Sequence, residues 1–180
     1  LTPALTQISL TPLMQPRQFT LDYYPEQPKE PHLNDARRQF NLALPATGNP
    51  RSRELARQWR QRYPDPQQRI QAAMNYFRQQ PFFYTLPPPP VSGDSIDGFL
   101  FSTRAGFCAH YARSLAFLLR VSGIPARLVT GYLGGEYHAT EGYISVHQFD
   151  AHAWVEAWLP GGWQRLDPTL MVAPERVRLG

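Results

Sequence analysis

Phe99-Leu100-Phe101-Ser102-Thr103-Arg104-Ala105-Gly106-Phe107-Cys108-Ala109-His110-Tyr111-Ala112 holds the only cysteine of the chain. Gly106-Phe107 sits just before the cysteine, and an amphipathic run from Ala109 to Ser122 follows it. Cys108, Ala112, Leu115 and Leu119 fall at i, i+4, i+7 and i+11, one face of a helix. Cys108 then belongs to the first helical turn. There the unpaired N–H groups and the positive end of the helix dipole stabilise an anion. A thiol so placed loses its proton more readily, and the thiolate is the nucleophile. The rest of the chain has to supply a base for it.

Downstream, Gly123 and Pro125 stop the helix, and the apolar period changes to two. Ala126 to Tyr132 alternates as a strand, Gly134-Gly135 turns the chain, and Glu136 to Ser145 reads as a polar loop or hairpin tip. Asp150 to Leu159 is the strongest strand pattern. Pro160-Gly161-Gly162 is a tight turn, and Trp163 to Asp167 is the next strand, ended by Pro168. Period two puts His152, Trp154 and Glu156 on one face and Ala151, Ala153, Val155 and Ala157 on the other. If this strand backs onto the cysteine helix, His152 reaches Cys108. The hairpin brings Asp167 near His152, where a carboxylate can accept the second imidazole N–H, fix the tautomer and stabilise the imidazolium. Nucleophile, base and orienting acid thus come in the order Cys108, His152, Asp167.

Each residue alone has a plainer reading: a small buried thiol, a hydrogen-bonded core histidine, a turn aspartate. Their combination in this element order points to a triad. Tyr132, Trp154, Trp158 and Trp163 are candidates for an apolar wall that keeps water from the site, with ordinary core packing as the alternative. A competing metal site would use Cys108, His138, His147, Asp150 and His152. Its spacing matches no zinc pattern and the chain has no cysteine pair, so neither metal nor cofactor is expected.

Upstream, Asn49-Pro50 and Asp65-Pro66 read as helix starts, with Pro at the first helical position. Leu55, Ala56, Trp59 and Tyr63 mark one helix, and Ile70, Ala73, Met74 and Phe77 mark a second that ends at Pro81. Phe82 to Leu86 reads as a short extended piece. Pro87 to Pro90 is excluded from helix or sheet interior and reads as a polyproline-like surface segment. Ser95 to Phe101 is expected to be a short helix. Residues 1–48 are expected to drape over the domain as an N-terminal extension, with short strands at Thr20–Tyr24 and Phe40–Pro45 and a loop over Gln27–Asp35. Residues 49–180 form the catalytic domain in this reading. Helices first, then an antiparallel meander, is an α+β pattern.

The length of 180 residues suits one domain, and 42% hydrophobic residues suffice for a core. No apolar run is long enough to span a bilayer. The chain lacks an initiator Met and a signal peptide, and its ends read as cuts within something longer. The net charge of +4 comes with clustered arginines, among them Arg51, Arg53, Arg57, Arg60, Arg62 and Arg69. These read as a solvated helical surface; an acidic partner or anionic lipid is the alternative, and no nucleic-acid motif is present.

Gly106-Phe107-Cys108-Ala109-His110-Tyr111-Ala112, Gly123-Ile124-Pro125-Ala126-Arg127, Gly131-Tyr132, Asp150 to Glu156, Gly162-Trp163 and Leu166-Asp167-Pro168-Thr169 together resemble the transglutaminase-like superfamily. Phe83-Tyr84-Thr85-Leu86, Asp97 to Phe101 and Ala173-Pro174-Glu175-Arg176-Val177 resemble its bacterial inner-membrane branch, whose papain-like core is a periplasmic loop between membrane spans. The resemblance implies a papain-like, transglutaminase-like core, with the cysteine-bearing helix and the helices before it packed on the meander. It implies Cys108 as nucleophile, His152 as base and Asp167 as orienting acid. The expected reaction is transfer of a glutamine side-chain acyl group to a primary amine. Protein or peptide substrates carrying Gln and an amine donor are the partners, and the parent protein is membrane-anchored. Hydrolysis by the same triad, as a deamidase or cysteine protease, and a non-enzymatic binding role at the cell envelope are the alternatives. Animal transglutaminases hold the oxyanion with a tryptophan N–H upstream of the cysteine. Trp59, the only tryptophan before Cys108, does not align to that role. The Cys108 backbone N–H is one donor and the second is unassigned. No calcium-loop signature is present, so calcium dependence is not expected.

Overall fold

A computed structural model describes residues 30–178, together with Pro12, Met14, Gln15, Gln18 and Thr20. The strand expected at Thr20–Tyr24 lies outside the described residues apart from Thr20. The strand expected at Phe40–Pro45 is corrected to a helix, α1 (Asp35–Leu42). Phe40, Leu42 and Leu44 alternate like a strand, but Asn34 caps the segment by accepting the Arg37 N–H at 2.9 Å. Asp35 adds a negative charge to the first turn, where the helix dipole favours it. Arg120 ties the end of α1 to the core by donating to the Ala43 carbonyl at 2.9 Å.

Helices α2 (Pro50–Arg62) and α3 (Pro66–Gln79) start at the two Pro signals. Asp65 caps α3 by accepting the Gln67 N–H at 3.1 Å. Asn49 does not cap its own helix. It takes a left-handed conformation (φ 55°), and its side-chain oxygen accepts the N–H groups of Ile96 and Asp97 at 2.9 and 3.1 Å. Asp97 returns the favour, accepting the Arg51 and Ser52 N–H groups at 2.9 and 2.8 Å and the Ser52 hydroxyl. Two helix starts therefore cap each other, and Ser52 and Asp97 are buried. Asp97→Ala would orphan these donors. It is expected to cost about 2–3 kcal/mol of stability, read by denaturant titration.

The helix expected at Ser95–Phe101 is a single turn, α4 (Ser95–Asp97), that widens into a π-helix at Gly98–Thr103. Arg104 closes it in the left-handed region (φ 49°). The chain then enters β2 (Ala105–Gly106), which pairs in parallel with β1 (Phe83–Tyr84). Helix α5 (Cys108–Val121) follows at once. Beneath its first turns lies an aromatic cluster in which Tyr111, fully buried, meets Phe77, Phe82 and Phe99 at ring distances of 5.9, 5.9 and 5.0 Å.

The sheet is antiparallel with strand order β3 (Ala126–Tyr132), β6 (Ala151–Leu159), β7 (Gly162–Leu166). The polar stretch between β3 and β6 forms a hairpin of β4 (Glu136–His138) and β5 (Tyr143–Ser145). Helix α5 packs on β6 and β3. Ala153, Val155 and Ala157 are buried there with Ala112, Leu115 and Leu119. The small strand residues let the helix approach closely, and each buried leucine contributes about 1.5–3 kcal/mol. Asp150 ends a 3₁₀ turn rather than starting β6, because its carboxylate accepts the His147 N–H at 2.7 Å. A short helix, α6 (Glu175–Arg178), closes the described chain.

Candidate active site

The site forms where the N-terminus of α5 meets the start of β6. Cys108 is the first residue of α5, and the Phe107 N–H before it is accepted by His110 Nδ1 at 3.4 Å. Gly106 makes the approach possible, since a Cβ there would lie 2.8 Å from the His110 side chain. His152 is the second residue of β6, opposite Gly131 of β3. Beyond the paired part of β7, the chain carries Asp167 back beside it, and His152 Nε2 lies 2.7 Å from Asp167 Oδ2. The other Asp167 oxygen accepts the Thr169 N–H at 3.1 Å and caps the 3₁₀ turn Pro168–Met171. With Nε2 engaged, Nδ1 is the imidazole nitrogen left for Cys108, and thiol and imidazole lie close enough to shift each other's ionisation. All three residues are buried.

Cys108 and His152 open into a cavity of about 730 Å³, whose walls include Tyr84, Phe107, Tyr132 and Phe149. A family model described as the transglutaminase-like superfamily matches residues 53–168. The chain belongs to the transglutaminase-like superfamily. A protein-glutamine gamma-glutamyltransferase of Pseudomonas aeruginosa is 49% identical over 170 residues, which is 94% of this chain and 25% of that protein. A Bacillus subtilis protein, YebA, is 33% identical over 71% of this chain and 18% of its own length. This chain thus spans a quarter or less of the length of these relatives. The crystal structure of the periplasmic domain of TgpA from Pseudomonas aeruginosa superposes with a TM-score of 0.82 at 53% identity, covering 84% of this chain and 53% of that one. A chain from Cytophaga hutchinsonii, 21% identical, has a TM-score of 0.51 over 81% of this chain and 46% of that one, a likeness of fold alone. The architecture is the α+β, papain-like core of the superfamily, and the chain is a periplasmic domain.

In this transglutaminase-like domain the two reacting groups shift each other's protonation. Burial pushes the Cys108 thiol up, but the His152 hydrogen bond, the Ala153 and Ala109 N–H groups and the His152 charge outweigh it, and the net shift is downward. Burial pulls His152 down, but hydrogen bonds and charge from Asp167 and Cys108 raise it to about 9. Both shifts favour the thiolate–imidazolium form of the pair. Acylation of Cys108 should rise with pH as the thiol ionises, below its ordinary range. It should fall as His152 loses its proton about pH 9, since the leaving group then has no acid. A pre-steady-state pH profile checks both limbs; a single rising limb through pH 9 and beyond would exclude His152 as that acid.

The wall residues read from sequence divide. Tyr132 lines the cavity at 54% exposure. Trp163 does not line it: the hairpin register pairs Trp163 with Trp158, six strand residues and roughly 20 Å from His152. There its indole N–H donates to Glu30 Oε2 at 2.8 Å and Arg127 lies over its ring. Trp158 is held at that end too, donating to the Glu30 carbonyl at 3.0 Å. Trp154 also stays off the cavity wall, because it lies on the His152 face with its ring stacked 6.3 Å from the imidazole. Arg165 covers its ring, and a Cβ at Gly131 would lie 2.8 Å from it. Trp154 thus braces the base. Trp154→Ala is expected to slow aminolysis and hydrolysis together by up to about 100-fold, leaving their ratio unchanged. A shift toward hydrolysis would restore the water-excluding role.

Trp59 sits in the aromatic cluster, edge-on to Tyr76 at 5.9 Å, and is not part of the cavity wall. The residues of the competing metal reading do not converge: among the described residues no three His, Cys, Asp or Glu side chains could hold an ion together. His138 instead bonds the Ser145 hydroxyl at 2.9 Å. Sequence reading missed Tyr84, Phe107, Phe149 and Arg176 as cavity residues. Tyr84 and Arg176 lie in two of the segments that resemble the bacterial branch, which is the one signal that pointed to them.

Proposed function

We propose that this domain moves the acyl group of a glutamine side-chain amide to a primary amine through a thioester on Cys108. The observation that carries the reading is one cavity holding a helix-start thiol beside a histidine that is itself bonded to Asp167 at 2.7 Å. The Cys108 thiolate attacks the amide carbon, and its electron pair forms the S–C bond while the C=O pair moves onto oxygen. As the oxygen pair returns, the C–N bond breaks and His152 gives its proton to the departing ammonia. An amine then attacks the thioester, losing a proton to His152, and the thiolate leaves. In this reading the reaction is calcium-independent. The parent protein is membrane-anchored in this reading, and its natural substrates are proteins or peptides that offer Gln and an amine.

The test is amine incorporation read by mass spectrometry, in EDTA, with a glutamine-containing protein and a primary-amine probe. Mass gain at glutamine supports the proposal. Conversion of glutamine to glutamate despite abundant amine would make the domain a deamidase, and backbone cleavage would make it a protease. Slow iodoacetamide labelling of Cys108 at neutral pH, with no product, would leave a binding scaffold.

A further inference from the structure

The two-residue ladder of β1 and β2 is too short to stabilise a sheet, yet it is tightly anchored. Tyr84 is paired with Gly106, two residues before the nucleophile. The Phe83 N–H donates to the Arg104 carbonyl at 3.0 Å and the Thr85 N–H to the Gly106 carbonyl at 2.8 Å. The Tyr111 hydroxyl, one turn into α5, donates to the Phe83 carbonyl at 2.8 Å. The Tyr84 ring stacks on Tyr111 with planes 7° apart and centroids 6.4 Å apart. The consequence of all these contacts is a fixed place for one side chain. Tyr84 is held on the wall of the cavity that Cys108 opens into, with its hydroxyl close enough to the Cys108 backbone N–H to be affected by it. Arg176, from α6, lies over the same ring at 5.7 Å, and its charge acts on the same hydroxyl.

The Tyr84 hydroxyl and the Cys108 N–H thus border the same part of the cavity, where that N–H would meet a substrate oxygen. A guanidinium has no acceptor to offer, so beside Arg176 the phenol keeps its own proton for another partner. We infer that Tyr84 is the second oxyanion donor: its O–H and the Cys108 N–H together hold the oxygen of the tetrahedral intermediate. The inference rests on the acyl-transfer reading above. No proton moves from Tyr84; it donates a hydrogen bond to the oxygen as the C=O pair shifts there, and releases it when the thioester forms. Burial and the neighbouring Cys108 thiolate both raise its ionisation above the ordinary tyrosine range, with Cys108 N–H and Arg176 opposing, so the phenol stays protonated at neutral pH. Arg176 acts through Tyr84 and is a positioning residue.

The test compares two reactions of Cys108 in the intact domain and in Tyr84→Phe, which keeps the ring stack. Alkylation by iodoacetamide is a displacement at saturated carbon and develops no oxyanion. Acylation by p-nitrophenyl acetate, followed as the burst of p-nitrophenolate, does develop one. Tyr84→Phe is expected to slow the burst by about 100-fold while alkylation is unchanged. An unchanged burst overturns the assignment, and so does a faster one, which would make Tyr84 a plug over the thiol. Parallel losses in both reactions would show a structural role and also overturn it. If the wild-type domain alkylates fast but gives no burst, the acyl-transfer reading itself fails and takes the assignment with it.

Discussion

Cys108→Ala is expected to lower amine incorporation by about 10⁴-fold or more, to the level set by binding and oxyanion stabilisation alone. Cys108 is the only cysteine of the chain, so no second thiol can take over and thiol labelling should vanish with activity. The fold should survive. Alanine fills the first helical position, and the aromatic cluster under α5 is anchored by Tyr111 and Phe99. The missing sulfur leaves a void the size of one atom at the edge of a cavity, which costs about 1 kcal/mol. The measurement is product formation beside a denaturant melt; full activity in the folded variant would remove the thioester from the mechanism.

Asp167→Asn is the second large effect, expected at about 10³–10⁴-fold in the acylation rate with little change in substrate binding. Asp167 accepts hydrogen bonds from the Thr169 N–H at 3.1 Å and from His152 Nε2 at 2.7 Å, and Arg165 Nη2 lies 3.7 Å from the oxygen that meets His152. An asparagine oxygen can keep the first, but its NH₂ group then faces Nε2 and forces that nitrogen to be the unprotonated one. The imidazolium loses its acceptor, and burial, which lowers His152, is no longer outweighed by Asp167. The His152 ionisation should therefore drop from about 9, observable by NMR, and Cys108 should alkylate more slowly at neutral pH. Retained acylation with an unshifted His152 would show that Asp167 serves as the cap of the 3₁₀ turn and no more.

The convergence of Cys108, His152 and Asp167 was legible because short-range signals compose it. A helix start fixes Cys108, and the Gly161-Gly162 turn fixes the hairpin that returns Asp167 to the strand that carries His152. Register is where sequence reading lost Trp163: it reads as a neighbour of the site, but the pairing with Trp158 places it at the far end of the strand. The error at Phe40 has a similar root, since alternating apolar residues mimic a strand until the Asn34 cap and the Asp35 charge are weighed. For Tyr84, the resemblance of Phe83 to Leu86 to the bacterial branch marked the segment but not its place beside the thiol. Its position depends on a parallel ladder closed over a separation of twenty-two residues, and only the assembled structure shows that contact.

The central claim is that Cys108 carries the acyl group, and the covalent intermediate tests it most directly. The domain would be mixed with a glutamine peptide, without amine, quenched in acid within milliseconds to seconds, digested and mapped by mass. The account predicts a peptide containing Cys108 that has gained the mass of the glutamine peptide less ammonia, and that loses the adduct when an amine is added before the quench. Product formation with Cys108 unmodified at every time point, or an adduct on another residue, would contradict it.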